Sequence, residues 1–502
     1  MSLVRKNIVA NLIGSGWVAL ISIAFIPLYI HFMGIESYGL VGFYITLQAL
    51  FALLDMGMTA TVSRELARLS ASTDQNQQMR DLVRSLEFIY WGVAALVIIS
   101  VLLLAPWVAS HWLNANQLSE ETVQYSIILM GIMIALRMPY GFYGGGLLGL
   151  QRQVLLNVVK VAVETLKSGG VVLILWLLTP TIITFFLWQT AISALGLCLM
   201  GWCLWHHLPS NKAARFRLKL YRRIWRFAAG MSIISGLALV LTQLDKLILS
   251  KMLSLEVFAY YMLASTVSMG IYVIVAPLFS AIYPRLTQLV SSADDVSVKH
   301  LYHKSCQLMT VLVMPIALLI SFFSEKILLL WTHDQMVASQ AAPILSLLII
   351  GTALNGMMNI PYALQLAYGW TRFAIYVNLV AIVILIPALI IAISNYGAMG
   401  GAVIWLCLNT GYIFFALPFM HGKLLKGEFF QWLTSDFFLP TVAALFMIFL
   451  SQLLIPNDLN QFFLVVWLLL TYLFSFIAAV FLASTLRLIT WSWACKHVQL
   501  AG

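Results

Sequence analysis

Apolar runs of twenty or more residues, separated by short polar breaks, follow one another along the whole chain. A run of this length can cross about 30 Å of hydrocarbon as an α-helix. The pattern predicts fourteen spans, which lie near 8–32, 38–63, 85–107, 122–148, 153–177, 181–205, 226–249, 257–283, 303–323, 340–367, 373–393, 398–420, 437–455 and 462–486. The first span is longer than the apolar region of a signal peptide, so we expect it to remain as a membrane anchor.

The amino-acid composition excludes several classes of soluble protein. Of the 502 residues, 62% are hydrophobic and only 9% are charged, whereas soluble domains are about 45–50% apolar and about 25% charged. The predicted fold class is therefore all-α, a polytopic membrane protein of about 14 transmembrane helices. DNA-binding proteins, soluble enzymes and secreted scaffolds are excluded.

Basic residues alternate sharply between the predicted loops. The odd-numbered connections contain only Lys251 and Lys326, whereas the even-numbered connections and both termini hold nearly all the others. The positive-inside rule therefore predicts cytoplasmic N- and C-termini, which require an even number of spans. The net charge of +10 is thus explained by orientation in a membrane, and no nucleic-acid partner is expected. The densest basic stretch, 212–226, is predicted to lie at the surface of anionic lipid.

Features that mark several other functions are missing from the sequence. The five cysteines lie in apolar runs or near basic ends, so no disulfide framework is expected. No cysteine–histidine spacing suits a metal ion, and there is no P-loop for an ATP-driven motor. The external loops are also short for a membrane enzyme, which needs an extramembrane surface with catalytic side chains. We therefore expect no catalytic residues, no metal and no cofactor, and predict that the protein is not an enzyme.

The two halves of the chain resemble each other at one constant offset. Glu36-Ser-Tyr-Gly39 corresponds to Glu256-Val-Phe-Ala259, Arg64-Glu-Leu66 to Pro284-Arg-Leu286, and Gly149-Leu-Gln-Arg152 to Gly369-Trp-Thr-Arg372. Because the repeat holds six spans, the halves share one orientation, as in transporters built from parallel repeats. The predicted organisation is two six-helix lobes and two additional helices: an N-lobe at 1–210, a basic cytoplasmic linker at 211–226, a C-lobe at 227–421, and spans 13 and 14 with the C-terminus at 422–502.

Three charged residues share one face of the fifth span. Lys160, Glu164 and Lys167 are spaced i, i+4 and i+7, which places them on one side of a helix. Charges at membrane depth are costly and normally face a partner or a hydrated cavity. Glu164 can pair with either lysine and leaves one positive charge, which favours an anion-binding site. The alternative is a structural ion-pair ladder that fixes helix packing.

Two further intramembrane charges are candidates for the same site. Arg137 lies two residues before Pro139 in the fourth span, where it either binds an anionic headgroup or caps the carbonyls that the proline frees. Asp55 in the second span is a candidate to counter Arg137 or a lysine of the fifth span, or to carry a proton.

Arg64 and Asp245 lie near the ends of their spans. Arg64 is at the cytoplasmic end of the second span, either as a substrate contact or as a snorkelling side chain. Asp245 precedes Lys246 in the seventh span, and adjacent residues of a helix point about 100° apart, so they need not pair. We interpret Asp245 as a residue for charge balance rather than for substrate binding.

The motifs resemble a known family. An opening N-x-x-x-x-x-G pattern and then IPLYIHFMGIESYGLVGFYITLQALFALLDMGMTATVSRELA resemble the start of bacterial polysaccharide flippases, of the multidrug/oligosaccharidyl-lipid/polysaccharide exporter superfamily. The stretch at 244–265 is similar to that family's seventh and eighth helices, and the resemblance covers most of 1–420. It implies two six-helix lobes around a V-shaped cavity. Many members have twelve helices; the lipid II flippases have fourteen, but their clustered arginines in the first helix are absent here.

The resemblance implies transport of an undecaprenyl-diphosphate-linked oligosaccharide, for O-antigen, capsule or a related polymer, across the bacterial inner membrane by alternating access. The residues expected to contact the diphosphate or sugar are Arg137, Lys160, Lys167 and Arg64. The residues expected to balance charge, or to couple transport to Na⁺ or H⁺, are Asp55, Glu164 and Asp245. Membrane lipids are expected partners, and other membrane proteins of polysaccharide assembly remain an open alternative.

Two rival functions remain open. A multidrug or metabolite exporter of the same superfamily is the nearest, although a cation exporter favours a negative cavity. The candidate cavity charges are Arg137, Lys160 and Lys167 against Asp55 and Glu164, which leave one net positive charge. The second rival is a transferase or scaffold of polysaccharide assembly, whose activity would depend on loops rather than on intramembrane charges.

Overall fold

The computed structural model describes residues 3–55, 57–70, 75–209, 213–216, 236–237, 239–456, 459–484 and 487. Nearly all of these residues are helical, and the β-pairing among them is a single isolated bridge between Asn114 and Ser254. The long apolar runs therefore fold as helices, because a helix satisfies its backbone hydrogen bonds within one segment and needs no partner strand in lipid. The all-α class is confirmed.

Ten helices belong to the first part of the chain. They are α1 (Leu3–Ala24), α2 (Ile26–Met33), α3 (Ile35–Phe51), α4 (Met58–Leu69), α5 (Asn76–His111), α6 (Glu120–Gly149), α7 (Gln153–Leu177), α8 (Ile182–His207), α9 (239–252) and α10 (Leu255–Met269). A 3₁₀ turn, Ala52–Asp55, follows α3.

The remaining helices are numbered in the same order. They are α11 (Tyr272–Ser291), α12 (Asp295–Phe322), α13 (Ser324–Thr332), α14 (Gln335–Met357), α15 (Asn359–Ala367), α16 (Thr371–Gly411), α17 (Leu417–Leu424), α18 (Phe429–Gln431), α19 (Leu439–Leu454) and α20 (Gln461–Leu482). Two π-helical segments, Tyr412–Ala416 and Trp432–Phe438, precede α17 and α19.

Every one of the fourteen predicted spans overlaps helical residues. Eleven of the described segments are long and apolar enough to cross a membrane, which confirms a multi-pass membrane protein. The fifth span, α7, is a continuous helix that carries three charges. Segment 371–424 contains both span 11 and span 12. The two spans are separated at Gly397, whose backbone is non-helical with φ 57° and ψ −137°. The seventh predicted span, 226–249, lies partly outside the described residues, and its described part continues into α9.

The first two spans are interrupted rather than straight. Pro27 lies in the first turn of α2, where its ring is tolerated, and the helix before it ends at Ala24. The second span breaks after Asp55, and α4 begins after Gly57, whose left-handed backbone (φ 70°) suits a residue without Cβ. Asp55 thus lies at a break within an otherwise apolar span.

The described chain divides into two compact units, Met1–Ala259 and Tyr260–Gly502. The predicted linker 211–226 is described only at 213–216, so the division into an N-lobe, linker, C-lobe and final helix pair stays a prediction. In the first unit, α6 packs against α4, α5, α7 and α8. Small residues permit the closest approach: a Cβ on Gly145 would lie 2.7 Å from Thr59, and one on Gly149 2.5 Å from the Ser63 carbonyl.

The second unit is organised around α12, which packs against α11, α14, α19 and α20. Its inward face includes the fully buried residues Tyr302, Met309 and Val313. The last two predicted spans, α19 and α20, pack against each other as well as against α12. They are therefore an integral part of this unit.

Candidate functional site

A small cleft in the first unit brings together three of the predicted charges. It is lined by Arg137 and Tyr140 of α6, Glu164 and Lys167 of α7, and Tyr44 of α3, with apolar side chains and Ser193 of α8 between them. Arg137 and Tyr140 share one face of α6 because they are three residues apart, as are Glu164 and Lys167 on α7. Two helices, α6 and α7, therefore each contribute polar side chains from one face to the same cleft.

Glu164 pairs with the deeper of the two candidate lysines. Lys167 Nζ lies 3.9 Å from Glu164 Oε1, and the two side chains are 15% and 30% exposed. Lys160 is exposed and is not among the residues that line the cleft. The i, i+4, i+7 spacing predicts that all three residues share one face of the helix. Only Glu164 and Lys167 of that face line the cleft.

Arg137 gives the cleft a surplus positive charge. Within the described part of the chain its guanidinium forms no ion pair or hydrogen bond, and helix α6 continues through Pro139. Arg137 and Lys167 against Glu164 leave one net positive charge among the lining residues. An arginine with unused donors beside a half-compensated lysine suits a phosphate group, because guanidinium donors match phosphate oxygens bidentately.

One of the tyrosines that line the cleft has a buried hydroxyl without a partner among the described residues. Tyr140 OH is buried and has no hydrogen bond within the described residues, whereas Tyr29 OH on α2 donates to the Ser168 carbonyl at 2.9 Å. Buried hydroxyls are normally satisfied, and an exception requires a reason. A substrate oxygen that accepts from Tyr140 is such a reason.

Asp55 has partners other than those proposed for it. Its Oδ1 accepts from Tyr90 OH and from Thr59 Oγ1, both at 2.5 Å. Asp55 does not line the cleft of Arg137 and Lys167. The interpretation that it counters one of these cations is therefore wrong, whereas a role in carrying a proton stays a prediction.

Arg64 lies on α4 with its side chain 58% exposed, and it pairs with Glu65 at 3.1 Å. Arg68 binds the other carboxylate oxygen of Glu65 at 2.8 Å. Partial burial raises the pKa of Glu65, but the hydrogen bonds and charges of the two arginines outweigh it and bring the pKa below its usual value. This geometry is that of a surface ion-pair cluster at the end of a helix, away from the cleft.

Asp245 and Lys246 pair with each other, although adjacent positions on a helix need not. Lys246 Nζ lies 3.8 Å from Asp245 Oδ1, and both side chains are less than a tenth exposed. The ammonium also donates to the Thr242 carbonyl at 2.9 Å. The pair is buried and local, and the role of Asp245 in charge balance stays a prediction.

Glu36 has a structural role that its position in the sequence does not indicate. Its buried carboxylate accepts from the backbone N–H groups of Asn116, at 2.5 Å, and Gln117, at 2.8 Å. It thereby holds the turn between α5 and α6. Glu36 corresponds to Glu256 in the repeat, which marks it as a residue that the two halves share. A repeat does not indicate which backbone N–H groups the carboxylate will bind.

A second polar cluster, also not predicted, lies in the second unit. His303 of α12 stands between Asp436 and Glu428: Nδ1 is 2.5 Å from Asp436 Oδ2, and Nε2 is 3.4 Å from Glu428 Oε2. Lys299 binds Glu428 at 2.7 Å, and Gln307 donates to Asp436 at 3.0 Å. The described residues contain no group of three or more His, Cys, Asp or Glu side chains placed to hold a metal ion.

Known proteins share both the sequence and the fold. A family model described as "Polysaccharide biosynthesis protein" matches residues 4–290, and a second, "MatE", matches 231–391. The chain is 22% identical over 411 residues to a Shigella flexneri protein named "Putative O-antigen transporter", covering 80% of this chain and 93% of that protein.

Solved structures extend the likeness to nearly the whole chain. Lipid II flippase MurJ, in an inward closed conformation, matches with a TM-score of 0.70 at 13% identity, covering 96% of this chain and 98% of its own. An inward-facing multidrug resistance MATE family transporter of the MOP superfamily matches with a TM-score of 0.66 at 12% identity, covering 81% and 95%. These relatives are transporters and flippases, and none is named as an enzyme, as the sequence predicts. The chain belongs to the polysaccharide biosynthesis protein family and has the fold of MOP-superfamily flippases and exporters.

Proposed function

We propose that this protein flips an undecaprenyl-diphosphate-linked oligosaccharide across the bacterial inner membrane by alternating access, with both termini in the cytoplasm. The observation that carries the proposal is the cleft of the first unit, in which Arg137 and Lys167 outweigh Glu164 and a buried Tyr140 hydroxyl has no partner. The likeness to an O-antigen transporter and to a lipid II flippase supports a substrate of this class.

The diphosphate is the part of such a substrate that needs protein groups. A charged group carried bare through hydrocarbon would be prohibitively unfavourable, so the protein must replace its hydration. The Arg137 guanidinium offers paired donors, the Lys167 ammonium offers a compact charge, and Tyr140 offers one hydroxyl donor. The prenyl tail needs no such groups and stays in lipid.

Glu164 gives the cleft a way to release what it binds. Its carboxylate already compensates Lys167 at 3.9 Å, so a diphosphate must compete for that ammonium. This competition weakens binding, which a carrier requires because a site that binds too tightly does not turn over. Asp55 or Glu164 would also provide the carboxylate through which Na⁺ or H⁺ drives the cycle.

Lys160 and Arg64 take secondary roles in this proposal. Lys160 is exposed and lies about 10 Å along α7 from Lys167, from a rise of 1.5 Å per residue. Arg64 is exposed and engaged with Glu65. Both would attract the anionic headgroup before it reaches the cleft, and neither would hold it there.

The sign of the cleft distinguishes this proposal from drug export. Exporters of organic cations favour negative sites, whereas Arg137 and Lys167 against Glu164 leave a net positive charge. The similarity to a MATE family transporter, with a TM-score of 0.66, shows a shared fold. A shared fold does not determine the substrate.

The test is to delete the gene and measure undecaprenyl-linked intermediates by mass spectrometry, together with the surface polymer. Loss of polymer with accumulation of a complete lipid-linked repeat unit is the expected result, and it would identify the sugar. Truncated intermediates would instead indicate a transferase. Unchanged intermediates and polymer, with altered drug sensitivity, would indicate an exporter.

A further inference from the structure

A long apolar groove runs between the two arms of the helical hairpin formed by spans 11 and 12. The arms meet beyond the break at Gly397, where Gly400 packs against the backbone of Ala392. Away from this contact they diverge and enclose a cavity of about 960 Å³. That volume is at the upper end of the range for small-molecule sites, about 300–1,000 Å³.

The walls of the groove are chemically suited to hydrocarbon chains. They are formed almost entirely by apolar side chains, of which Val380, Ile384, Ala388, Ile404, Leu408 and Phe415 are examples. Val380, Ile384 and Phe415 are 60%, 62% and 82% exposed, so the groove is open along its side. In a membrane-spanning hairpin, exposed apolar side chains face lipid, and lipid can therefore enter laterally.

One end of the groove carries aromatic rings and positive charges. Trp370 stacks on Phe373, and Phe373 on Phe419, with centroid distances of 4.6 and 5.3 Å. Lys423 Nζ lies 4.1 Å from the centroid of the Trp370 ring, and Arg372 lines the groove directly. Within the described chain neither cation pairs with a carboxylate, and no lining residue of the groove is acidic.

The backbone beside the groove departs from regular helix at the same place. The π-helical segment Tyr412–Ala416 contributes Tyr412, Phe415 and Ala416 to the wall. Segments of this kind are rare and occur frequently at functional sites. Phe415, the most exposed of these three residues, lies within this segment.

We propose that this groove is a binding site for an anionic phospholipid of the cytoplasmic leaflet, whose acyl chains lie along the apolar walls and whose phosphate lies between Arg372 and Lys423. Charge complementarity supports this occupant, because two cations without a carboxylate partner among the described residues lie where the apolar groove ends in a cluster of aromatic rings. Basic pockets between transmembrane helices on the cytoplasmic side bind anionic headgroups for the same reason. The site lies wholly within the second unit, and it does not depend on the proposed transport activity.

The dimensions of the groove agree with a lipid rather than with a soluble metabolite. From Arg372 to Ala388 the first arm rises about 24 Å, at 1.5 Å per residue, against a hydrocarbon core of about 30 Å. A second transmembrane helix would fill apolar walls equally well, but it would not by itself neutralise Arg372 and Lys423. The charged end therefore favours a phosphate-bearing lipid.

The test is native mass spectrometry of the purified full-length protein in detergent, titrated with phosphatidylglycerol or phosphatidylcholine of the same chain length. The charge variant is Arg372→Gln with Lys423→Gln, and its matched control is Lys426→Gln, an exposed lysine outside the groove. The groove-filling variant is Ala388→Phe, and its control is Ile391→Phe, which changes a lipid-facing residue of the same arm outside the groove. Gel filtration and thermal unfolding check that every variant folds.

The expected result is preferential binding of phosphatidylglycerol to the wild type, weakened about tenfold by the charge variant and by Ala388→Phe but not by either control. Equal binding of the two lipids would overturn the proposal, as would a charge variant that retains the preference. Displacement of phosphatidylglycerol by an equimolar polyprenyl phosphate would also overturn it and would assign the groove to the carrier lipid. These readouts involve no transport, so export can fail or succeed independently of them.

Discussion

The Nδ1 atom of His303 lies 2.5 Å from the Asp436 Oδ2 atom and joins two segments that are 133 residues apart in sequence. The side chains are 6% and 0% exposed. His303 belongs to α12, and Asp436 belongs to the π-helical segment that leads into α19. The contact therefore fixes the thirteenth span to the ninth, and Gln307 reinforces it by donating to the other oxygen of Asp436 at 3.0 Å.

Replacing Asp436 by Ala should destabilise the second unit strongly. Removing the Asp436 carboxylate leaves the buried polar groups of His303 and Gln307 without this partner, at a cost of about 1–3 kcal/mol. Replacing Lys299 by Gln, an exposed member of the same cluster, should cost much less, because solvent screens exposed ion pairs. Thermal unfolding of both purified variants in one detergent measures the difference. Similar transition temperatures for the two would show that the His303–Asp436 contact does not hold α19 in place.

Glu428 should make the stability of this cluster depend on pH in one direction. The Lys299 ammonium donates to Glu428 at 2.7 Å and holds the pKa of this carboxyl below its usual value, against a smaller opposing effect of burial. A lowered pKa in the folded state means that the stabilisation is complete above the ordinary value of about 4.3. It is lost as the pH falls through the lowered value.

The measurement for this prediction is the difference in unfolding temperature between wild type and Glu428→Gln, at pH 7 and again below pH 4. The wild type should be the more stable at pH 7, and the difference should shrink in acid. Other carboxyl groups titrate in both proteins and cancel in the comparison. A difference that stays constant across this range would remove Lys299–Glu428 as an acid-sensitive link.

Much of the fold follows from apolar run length alone. All fourteen predicted spans overlap helices because the helix is the structure that satisfies its own backbone in lipid. The breaks at Phe25 and Gly57 were not predicted, since short interruptions barely alter the hydropathy of a window. The break at Gly397 lies between the predicted spans 373–393 and 398–420 and was therefore expected. Proline and glycine at these points permit the breaks but do not require them.

The site was predicted in part for a similar reason. Helical spacing correctly places Glu164 and Lys167 on one face of α7, and depth in the membrane indicates that they need partners. The spacing of residues cannot show that Arg137 of a neighbouring helix lines the same cleft. It also cannot show that Asp55 accepts hydrogen bonds from Tyr90 and Thr59. Those outcomes depend on tertiary packing of α6 against α7 and of α5 against the 3₁₀ turn.

Neutralising Lys167 should impair export far more than neutralising Lys160. Lys167→Gln removes a cleft cation that faces Glu164, and Arg137→Gln removes the other. Each should lower export of the lipid-linked repeat unit about tenfold, which corresponds to ~1.4 kcal/mol of binding. Lys160→Gln, exposed outside the cleft, should stay within about twofold of wild type.

The assay is accumulation of the lipid-linked intermediate in cells that express equal amounts of each variant in the membrane. Lys160→Gln serves as the matched control because it changes the same residue type on the same face of α7. A larger defect for Lys160→Gln than for Lys167→Gln would move the anion site toward the cytoplasmic end of the helix. Equal, wild-type export from all three variants would leave only a structural role for these charges.

Replacing Tyr140 by Phe should separate substrate binding from stability. The buried Tyr140 hydroxyl has no partner within the described chain, and an unsatisfied buried polar group costs about 1–3 kcal/mol. Its removal should therefore leave the unfolding temperature unchanged or raise it, while export falls because a donor to the diphosphate is lost. The matched control is Tyr29→Phe, which removes a hydroxyl that donates to Ser168 at 2.9 Å. That control should instead lower stability by about 1 kcal/mol and leave export nearly intact.

The two tyrosine variants thus predict opposite pairs of outcomes from the same chemical change. Tyr140→Phe should preserve stability and reduce export, whereas Tyr29→Phe should reduce stability and preserve export. Thermal unfolding of the purified proteins and the cellular export assay supply the two readouts. Normal export by Tyr140→Phe would mean that the hydroxyl contacts no substrate. A marked loss of stability in that variant would mean that the hydroxyl is satisfied in the folded protein, and the cleft would lose its proposed third donor.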